Sequence, residues 1–205
     1  MLPKSKIKIV KSLKHKKNRI NSNLFIVEGV KSFNEVINSD YQIEFTIISN
    51  ETFSSYYSDK NLNDLYVVSS DEVKKLSSLH NNNSVISVVK KIKIENKLID
   101  YSNLIIALDS INDPGNLGTI IRTADWFNIK TIVCSRNTVD IYNSKVIQST
   151  MGSFTRVNVL YDDLENILGS KEVKVYGTSI GGDDIKEIKK LTSGIILFGS
   201  ESSGI

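Results

Sequence analysis

One arginine near the middle of the chain has a sequence context suited to chemistry. Arg122 follows an apolar run and a polar turn, in the second turn of the helix that the next residues predict. It lies off the apolar stripe of that helix, so its side chain is free to face the preceding loop. A guanidinium is almost always protonated, so it would position a substrate and stabilise developing negative charge. The spacing equally allows a surface salt bridge with Asp125.

The elements around Arg122 read as a strand, a loop and a helix. Residues Leu104–Leu108 are all apolar, as in a strand buried on both faces. The sequence D-P-G-N at 113–116 predicts a sharp turn, because Pro fixes one φ and Gly permits a positive one. In open α/β sheets, ligands bind beyond the carboxyl ends of the strands, where this loop lies. After the turn, apolar residues recur at helical spacing and predict one buried face: Leu117, Ile120, Ile121, Ala124 and Phe127.

Two further Gly-containing loops follow predicted strands, at residues 178–182 and 199–204. Glycine lets backbone N–H and C=O groups approach a ligand closely, so these loops are candidate parts of a binding site. Taken alone, each of them is better explained as a simple turn.

The sequence argues against several other classes of site. It contains no G-x-G-x-x-G after the first strand and no G-x-x-x-x-G-K-[ST], so dinucleotide and P-loop sites lose their support. His15, His80 and the single Cys134 lie in separate segments, so we expect no metal. No His follows His80, as a Ser hydrolase would need. No apolar run is long enough to span a membrane, so we expect a cytoplasmic protein without a membrane partner.

The first 20 residues are strongly basic. They carry eight Lys or Arg and no acid, although the whole chain has a net charge of only +3. Such an arm suggests a polyanion partner, with Lys14, Lys16, Lys17 and Arg19 as candidate contacts. The alternative is a frayed terminus that only aids solubility.

The chain divides into two α/β halves. We place the boundary in the polar segment 95–97, giving domains 1–96 and 97–205. In the first half, Ser70 is predicted to cap a helix. In the second, strands at 131–135, 156–160, 173–178 and 194–198 alternate with helices, including one at 184–190, which predicts a mostly parallel sheet.

Four segments resemble the SpoU/TrmH family of RNA ribose 2′-O-methyltransferases. Residues 109–124, D-x-x-x-D-P-x-N-L-G-x-x-x-R-T-A, resemble its motif 1, and residues 196–204, I-L-F-G-S-E-S-S-G, resemble its motif 2. Residues 149–153 are similar to a Ser/Gly-containing helix end of the family. The basic residues 11–19 followed by F-x-V-E-G at 25–29 resemble the start of its L30e-like substrate-binding domain.

The resemblance implies a fold and a set of roles. The second half would be a SPOUT-type α/β domain that is trefoil-knotted in the complete protein, binds S-adenosyl-L-methionine, and forms a homodimer with the active site near the interface. Arg122 would contact the target ribose or phosphate. Asn116 would lie near the catalytic centre or cap the helix, and Glu201 would pair with Arg122 or organise the interface. Thr178, Gly199 and Ser200 would line the cofactor pocket.

The family's motif 3 would lie beyond Ile205, so we expect this chain to be truncated. As substrate we favour structured ribosomal RNA over transfer RNA, held by the L30e-like half and the basic arm. Two other functions stay open: a non-catalytic RNA-binding module, and a Rossmann-like enzyme acting on small molecules.

Overall fold

The computed structural model describes residues 2–58, 62, 64–79, 81–92, 99–169, 173–188, 190–200 and 204–205. Contacts divide the chain into two compact units. The first unit comprises Met1–Ile92 and Tyr142–Thr155, and the second comprises Lys93–Ile141 and Arg156–Ile205. The boundary predicted at 95–97 lies outside the described residues, so the division at residue 96 stays a prediction.

The first unit is built on a four-stranded sheet in the order β1-β4-β2-β3. Strand β4 is antiparallel to both of its neighbours, and β2 and β3 are parallel. Its elements from the first 92 residues are α1 (Lys4–Ser12), α2 (Lys16–Ser22), β1 (Leu24–Glu28), α3 (Val30–Ile37), β2 (Ile43–Ser49), α4 (Asn50–Tyr56), β3 (Leu65–Val68), α5 (Ser70–Leu76) and β4 (Val85–Lys90).

Helix α5 shows that the predicted cap was wrong by one residue. Ser69, not Ser70, precedes the helix, and its Oγ accepts a hydrogen bond from the Glu72 backbone N–H at 3.3 Å. The Glu72 carboxylate accepts in return from the Ser69 backbone N–H at 3.1 Å. This reciprocal pair needs a spacing of three residues to a Glu, which Ser69 has and Ser70 does not.

A buried carboxylate closes one end of the first unit's sheet. Glu28, at the end of β1, is 7% exposed. It accepts hydrogen bonds from the Ser77 hydroxyl, the Ser78 backbone N–H and the Asn82 side-chain amide. Because a buried charge is costly without such donors, Glu28 ties the loop after α5 to β1.

A segment from the second half of the chain completes the core of the first unit. It contains α7 (Ser144–Thr150) and a short 3-10 helix (Ser153–Thr155). The rings of Tyr142 and Phe154 lie 4.5 and 6.0 Å from the ring of Phe25 in β1, which is fully buried. Phe154 also contacts Tyr41 at 5.5 Å. The segment therefore forms part of this core and does not merely lie on the surface.

Gly152 allows the same segment to turn sharply after α7. Its φ is +97°, and a Cβ at this position would overlap the side chain of Glu35 in α3. Both the positive φ and the lack of space favour glycine here.

The second unit is built on a five-stranded sheet in the order β7-β6-β5-β9-β8, in which all pairs are parallel. This confirms the α/β class and the mostly parallel sheet. Its elements are β5 (Leu104–Leu108), α6 (Pro114–Trp126), β6 (Thr131–Ser135), β7 (Asn158–Asp162), α8 (Leu164–Leu168), β8 (Val175–Gly177), a 3-10 turn (Ile185–Glu187) and β9 (Gly194–Phe198).

Four elements of this unit differ from the sequence prediction, and one of them is β8, which was expected at 173–178 and spans Val175–Gly177. The strand expected at 156–160 begins two residues later. In the described part of the helix expected at 184–190, residues Ile185–Glu187 form a 3-10 turn, with the Asp184 carboxylate accepting from the Lys186 backbone N–H. Phe127 is 70% exposed, because α6 ends at Trp126 and the helical period no longer applies to the residue that follows. Leu117, Ile121 and Ala124 are fully buried as predicted.

Within the described part of the chain, no helix has both the length and the apolar character needed to cross a membrane.

Candidate active site

Three polar loops leave neighbouring strands at the same edge of the second unit's sheet. They follow β5, β9 and β8, which are adjacent and parallel. At this edge, the Asp109 backbone N–H donates a hydrogen bond of 2.9 Å to the Phe198 carbonyl, which joins the ends of β5 and β9. The fold thus brings together the loop before α6, Thr178 and the beginning of the 199–204 loop, as the strand order of a doubly wound sheet allows.

The loop after β5 leads directly into α6 through Asp113. The Asp113 carboxylate accepts a hydrogen bond of 2.8 Å from the Asn116 backbone N–H, with Pro114 at the first helical position. Asp113 is therefore the N-cap, and the alternative that Asn116 caps the helix was wrong. Asn116 lies six residues before Arg122, about 1.7 helical turns, and is half-buried.

Arg122 projects from α6 into solvent. Its side chain is exposed, and no hydrogen bond or ion pair joins it to another described residue. The carboxylate that the spacing offered as a partner, Asp125, instead binds Arg156, with N–O distances of 2.8 and 2.9 Å. The guanidinium of Arg122 is therefore available to an anionic or polar ligand.

The other predicted site residues at this edge are held by backbone hydrogen bonds. The backbone N–H and the hydroxyl of Thr178 both donate to the Leu197 carbonyl, at 3.0 and 3.1 Å. Ser200 exchanges two backbone hydrogen bonds with Gly204, and a Cβ on Gly199 would overlap the Gly204 carbonyl. Gly199 therefore has no room for a side chain beside Gly204. Glu201 lies outside the described residues.

An open cleft of about 470 Å³ lies at the same edge, towards β6 and β7. Its lining combines apolar side chains with carboxylates and one arginine: Asp109, Arg136, Asp162, Asp163, Leu164 and Leu197. Its volume is within the range of small-molecule sites. The sequence patterns did not single out Asp162, the last residue of β7, or Asp163, which follows it, although their position at a strand end could have suggested them.

The lining of the cleft has groups that could bind a cationic cofactor, but it does not include the predicted cofactor residues Thr178, Gly199 and Ser200. Carboxylates can accept hydrogen bonds from ribose hydroxyls and an ammonium group, and they favour a cationic sulfonium. The apolar floor, with Leu164 and Leu197, suits a base.

The described residues offer neither a reactive thiol nor a metal centre as an alternative catalytic site. No group of three or more His, Cys, Asp or Glu side chains there could hold a metal ion. Burial raises the pKa of the Cys134 thiol to about 12, so it does not form a thiolate near neutral pH.

The basic N-terminal arm is ordered and not frayed, since it forms helices α1 and α2 of the first unit. Lys14, Lys16 and Lys17 are exposed, and three further lysines at helical spacing share the exposed face of α1: Lys4, Lys8 and Lys11. Lys6 points elsewhere, pairing with Asp64 at 2.6 Å and lying 4.2 Å above the Phe45 ring.

Arg19 must be removed from the predicted RNA contacts. It is only 4% exposed, and its guanidinium donates to the carbonyls of Leu13 and Lys14, at 3.0 Å each. The side chain therefore fastens the turn between α1 and α2 and offers no surface to a partner. Sequence alone did not distinguish this arginine from the exposed lysines around it.

Comparison with known proteins identifies the family of this chain. The model of the SpoU rRNA Methylase family matches residues 103–205, which include all three loops and Arg122. The chain belongs to the SpoU rRNA methylase family. The model of the MRM3-like substrate binding domain matches residues 4–87, in the first unit. The family membership predicted from the motifs is confirmed.

Individual SpoU methylases are similar over much of the chain. The 23S rRNA (guanosine(2553)-2′-O)-methyltransferase RlmP of Bacillus subtilis is 29% identical over 98% of this chain and 81% of its own length. The 23S rRNA (guanosine-2′-O-)-methyltransferase RlmB of Blochmanniella floridana is 33% identical over 56% of this chain and 46% of its own. An uncharacterised tRNA/rRNA methyltransferase of Borreliella burgdorferi is 29% identical, and the match covers 57% of it. The chain thus spans about half the length of the last two relatives.

Solved SpoU-type structures share the fold. A putative RNA methyltransferase of the TrmH family from Porphyromonas gingivalis superposes with a TM-score of 0.86 at 27% identity, covering 100% of this chain and 83% of its own. The AdoMet-bound rRNA methyltransferase from Sinorhizobium meliloti gives a TM-score of 0.84 at 24% identity, covering 97% and 79%. The knot stays a prediction.

Proposed function

We propose that this protein transfers a methyl group from S-adenosyl-L-methionine to a ribose 2′-hydroxyl of ribosomal RNA. The observation that carries the proposal is Arg122, an exposed arginine without an ion pair among the described residues, on the helix that follows the loop at the carboxyl end of β5. The similarity to the 23S rRNA methyltransferases RlmP and RlmB supports 23S ribosomal RNA as the substrate class. We place the enzyme in the cytoplasm, and transfer RNA stays the alternative substrate.

The cofactor, when bound, supplies an electrophilic methyl group on a cationic sulfur. The ribose oxygen would form its bond to the methyl carbon as the carbon–sulfur bond breaks and leaves a neutral thioether. The hydroxyl proton would pass to solvent water, and partial negative charge would develop on the oxygen. Arg122 cannot accept that proton at neutral pH, because a guanidinium stays charged. Its part is to hold the ribose or its phosphate and to stabilise the developing alkoxide.

We assign the remaining residues of the site by the same proposal. Thr178, Gly199 and Ser200 hold the loops that would contact the cofactor, the glycine through its backbone. Asn116 would orient the loop before Arg122, and Glu201 would pair with Arg122 or its counterpart in a second copy. A homodimer belongs to the proposal, as does RNA binding by the first unit through α1 and α2.

The proposal is tested by methyl incorporation. The complete product of the natural gene is incubated with methyl-labelled S-adenosyl-L-methionine and either ribosomal or transfer RNA. We expect label in ribosomal RNA, at a nucleotide that resists alkaline cleavage because its 2′-oxygen is blocked, and no label when that nucleotide is 2′-deoxy. Cofactor and RNA binding without incorporation would favour the non-catalytic module. Label in transfer RNA alone would show that the substrate is transfer RNA and not ribosomal RNA.

The exposed lysines give a second prediction. Replacing Lys14, Lys16 and Lys17 together by Gln is expected to weaken RNA binding and to reduce the slope of log affinity against log salt by about 2, because each lost phosphate contact removes about 0.7 for single strands. The measurement is RNA affinity by fluorescence anisotropy at several salt concentrations.

Its matched control removes the same charge from other elements, with Lys31, Lys174 and Lys186 changed to Gln; all three are exposed. An equal loss of slope in both triple variants would show a non-specific charge effect and would contradict a role for this arm.

A further inference from the structure

The loop between β5 and α6 is held by two hydroxyl groups from the end of the neighbouring strand. The Ser110 backbone N–H donates a hydrogen bond to the Ser135 Oγ at 2.8 Å. The Ile111 backbone N–H donates to the Thr138 Oγ1 at 3.3 Å, and the Thr138 hydroxyl donates in turn to the Leu108 carbonyl at 3.4 Å. Ser135 is the last residue of β6, and Thr138 lies three residues beyond it. The end of β6 therefore fixes the backbone that leaves β5.

Ser110 has a backbone conformation that needs such a contact. Its φ is +57°, in the left-handed region that the Cβ of an L-residue disfavours. A residue other than glycine stays in this region only when its surroundings hold it there. The hydrogen bond from its N–H to Ser135 is one such hold. A second is the hydrogen bond from its own hydroxyl to the Asp109 carboxylate, at 2.9 Å.

The hold on the loop extends to the beginning of α6. The Ile111 carbonyl accepts a hydrogen bond of 2.9 Å from the Val139 backbone N–H, so the loop is anchored as far as this residue. Only Asn112 separates Ile111 from Asp113, the N-cap of α6. The position of the helix that carries Arg122 is therefore coupled to the end of β6.

The two hydroxyl groups are satisfied within the protein. A hydroxyl has one proton, and Thr138 directs its proton to the Leu108 carbonyl. Ser135, whose Oγ lies 3.2 Å from the Thr138 Oγ1, is then the donor of the pair. Ser135 lines the open cleft at this edge of the sheet, but a ligand that took its proton would have to break this bond. The arrangement favours a role in holding the loop over a direct contact with a ligand.

We propose that Ser135 is a positioning residue for methyl transfer, which acts by holding Ser110 in the left-handed conformation and thereby fixing the beginning of the Arg122 helix. This inference rests on the proposed function. A displacement of about 1 Å at a reacting group can cost on the order of 100-fold in rate. Relaxation of this loop is therefore expected to slow the transfer step more than it weakens binding.

The single-turnover rate of Ser135→Ala tests the proposal. The complete protein is assayed with saturating methyl-labelled S-adenosyl-L-methionine and RNA, well below the thermal midpoint of every variant. We expect a rate about 10-fold lower, with the Kd values for cofactor and RNA within about 2-fold of wild type. The matched control is Ser102→Ala, which removes an exposed hydroxyl that donates to Asp100 before the other end of β5. It should keep the wild-type rate.

A second substitution separates loop conformation from a general loss of stability. Glycine adopts a positive φ without the cost of a Cβ, so it needs less help from Ser135. Adding Ser110→Gly to Ser135→Ala is therefore expected to raise the rate of the single variant by about 3-fold or more. Because every variant is folded at the assay temperature, a merely structural role would leave no loss of rate to recover.

Hydrogen exchange gives a readout that does not depend on activity. The Ser110 amide loses its acceptor in Ser135→Ala, so we expect it to exchange at least about 10-fold faster, while amides in the middle of β5 are unchanged. Equal exchange at Ser110 in both proteins would contradict the proposed hold.

The outcomes distinguish this inference from the proposed function. If the wild type labels RNA and Ser135→Ala labels it equally fast, the inference is wrong and the function stands. If the wild type labels neither ribosomal nor transfer RNA, both are wrong. A 10-fold loss of cofactor affinity in Ser135→Ala, without faster exchange at Ser110, would make Ser135 a ligand contact and would also overturn the inference. So would a double variant that is no faster than Ser135→Ala.

Discussion

Replacing Arg122 by alanine is expected to lower the rate of methyl transfer at saturating cofactor and RNA by at least about 100-fold. Removal of one preorganised donor to a developing oxyanion typically costs 10²–10³ in kcat. The side chain is exposed and lies off the buried stripe of α6, so its loss leaves the core intact. The measurement is the single-turnover rate of label transfer to RNA.

The controls distinguish chemistry from folding. Thermal unfolding should show a change of no more than about 0.5 kcal/mol in the free energy of unfolding, as is usual for a surface substitution. Arg122→Lys keeps the charge but loses the planar two-pronged donor, so it should recover only part of the rate. If Arg122→Ala turned over at the wild-type rate, Arg122 would not take part in methyl transfer and would be an ordinary surface residue.

The second large effect concerns stability. Phe154→Ala is expected to lower the free energy of unfolding of the first unit by about 3–5 kcal/mol, the usual cost of deleting a buried aromatic ring. Phe154 is 2% exposed and contacts both Phe25 and Tyr41. Hydrogen exchange of the amides of β1 and β4 in increasing urea measures the change, because these strands report on this unit alone.

Phe127→Ala removes the same ring from a site that is 70% exposed and should change stability by no more than about 0.5 kcal/mol. If β1 amides exchanged equally fast in both variants, the segment 142–155 would not contribute to the first core.

Local patterns predicted the sheet elements well. Runs such as Leu104–Leu108 and Gly194–Phe198 are apolar throughout, which predicted strands, and the alternation of such runs with helices predicted that the strands are parallel. Boundaries were less secure. Phe127 matched the helical period but lies beyond the last turn of α6. The N-cap of α5 was predicted at Ser70 in place of Ser69, because the two serines are adjacent.

The candidate site was predicted in part. The order of strand, turn and helix indicated where Arg122 would project, and its exposure agrees with that interpretation. The sequence pattern could not reveal which partner each arginine binds. Arg156 pairs with Asp125, 31 residues away, so that this carboxylate is not the partner of Arg122. Arg19 donates to the carbonyls of Leu13 and Lys14, so its charge is buried and not offered at the surface.

The membership of residues 142–155 in the first unit has a consequence for synthesis on the ribosome. Phe25 and Tyr41 emerge early, but the rings that cover them belong to a segment translated after β5, α6 and β6. The first unit therefore cannot reach its final core as an independent N-terminal domain would, before the next domain is made. It must wait with an apolar gap in its surface until residue 155 has left the exit tunnel, and the hydrophobic surface exposed meanwhile is a natural target for chaperones.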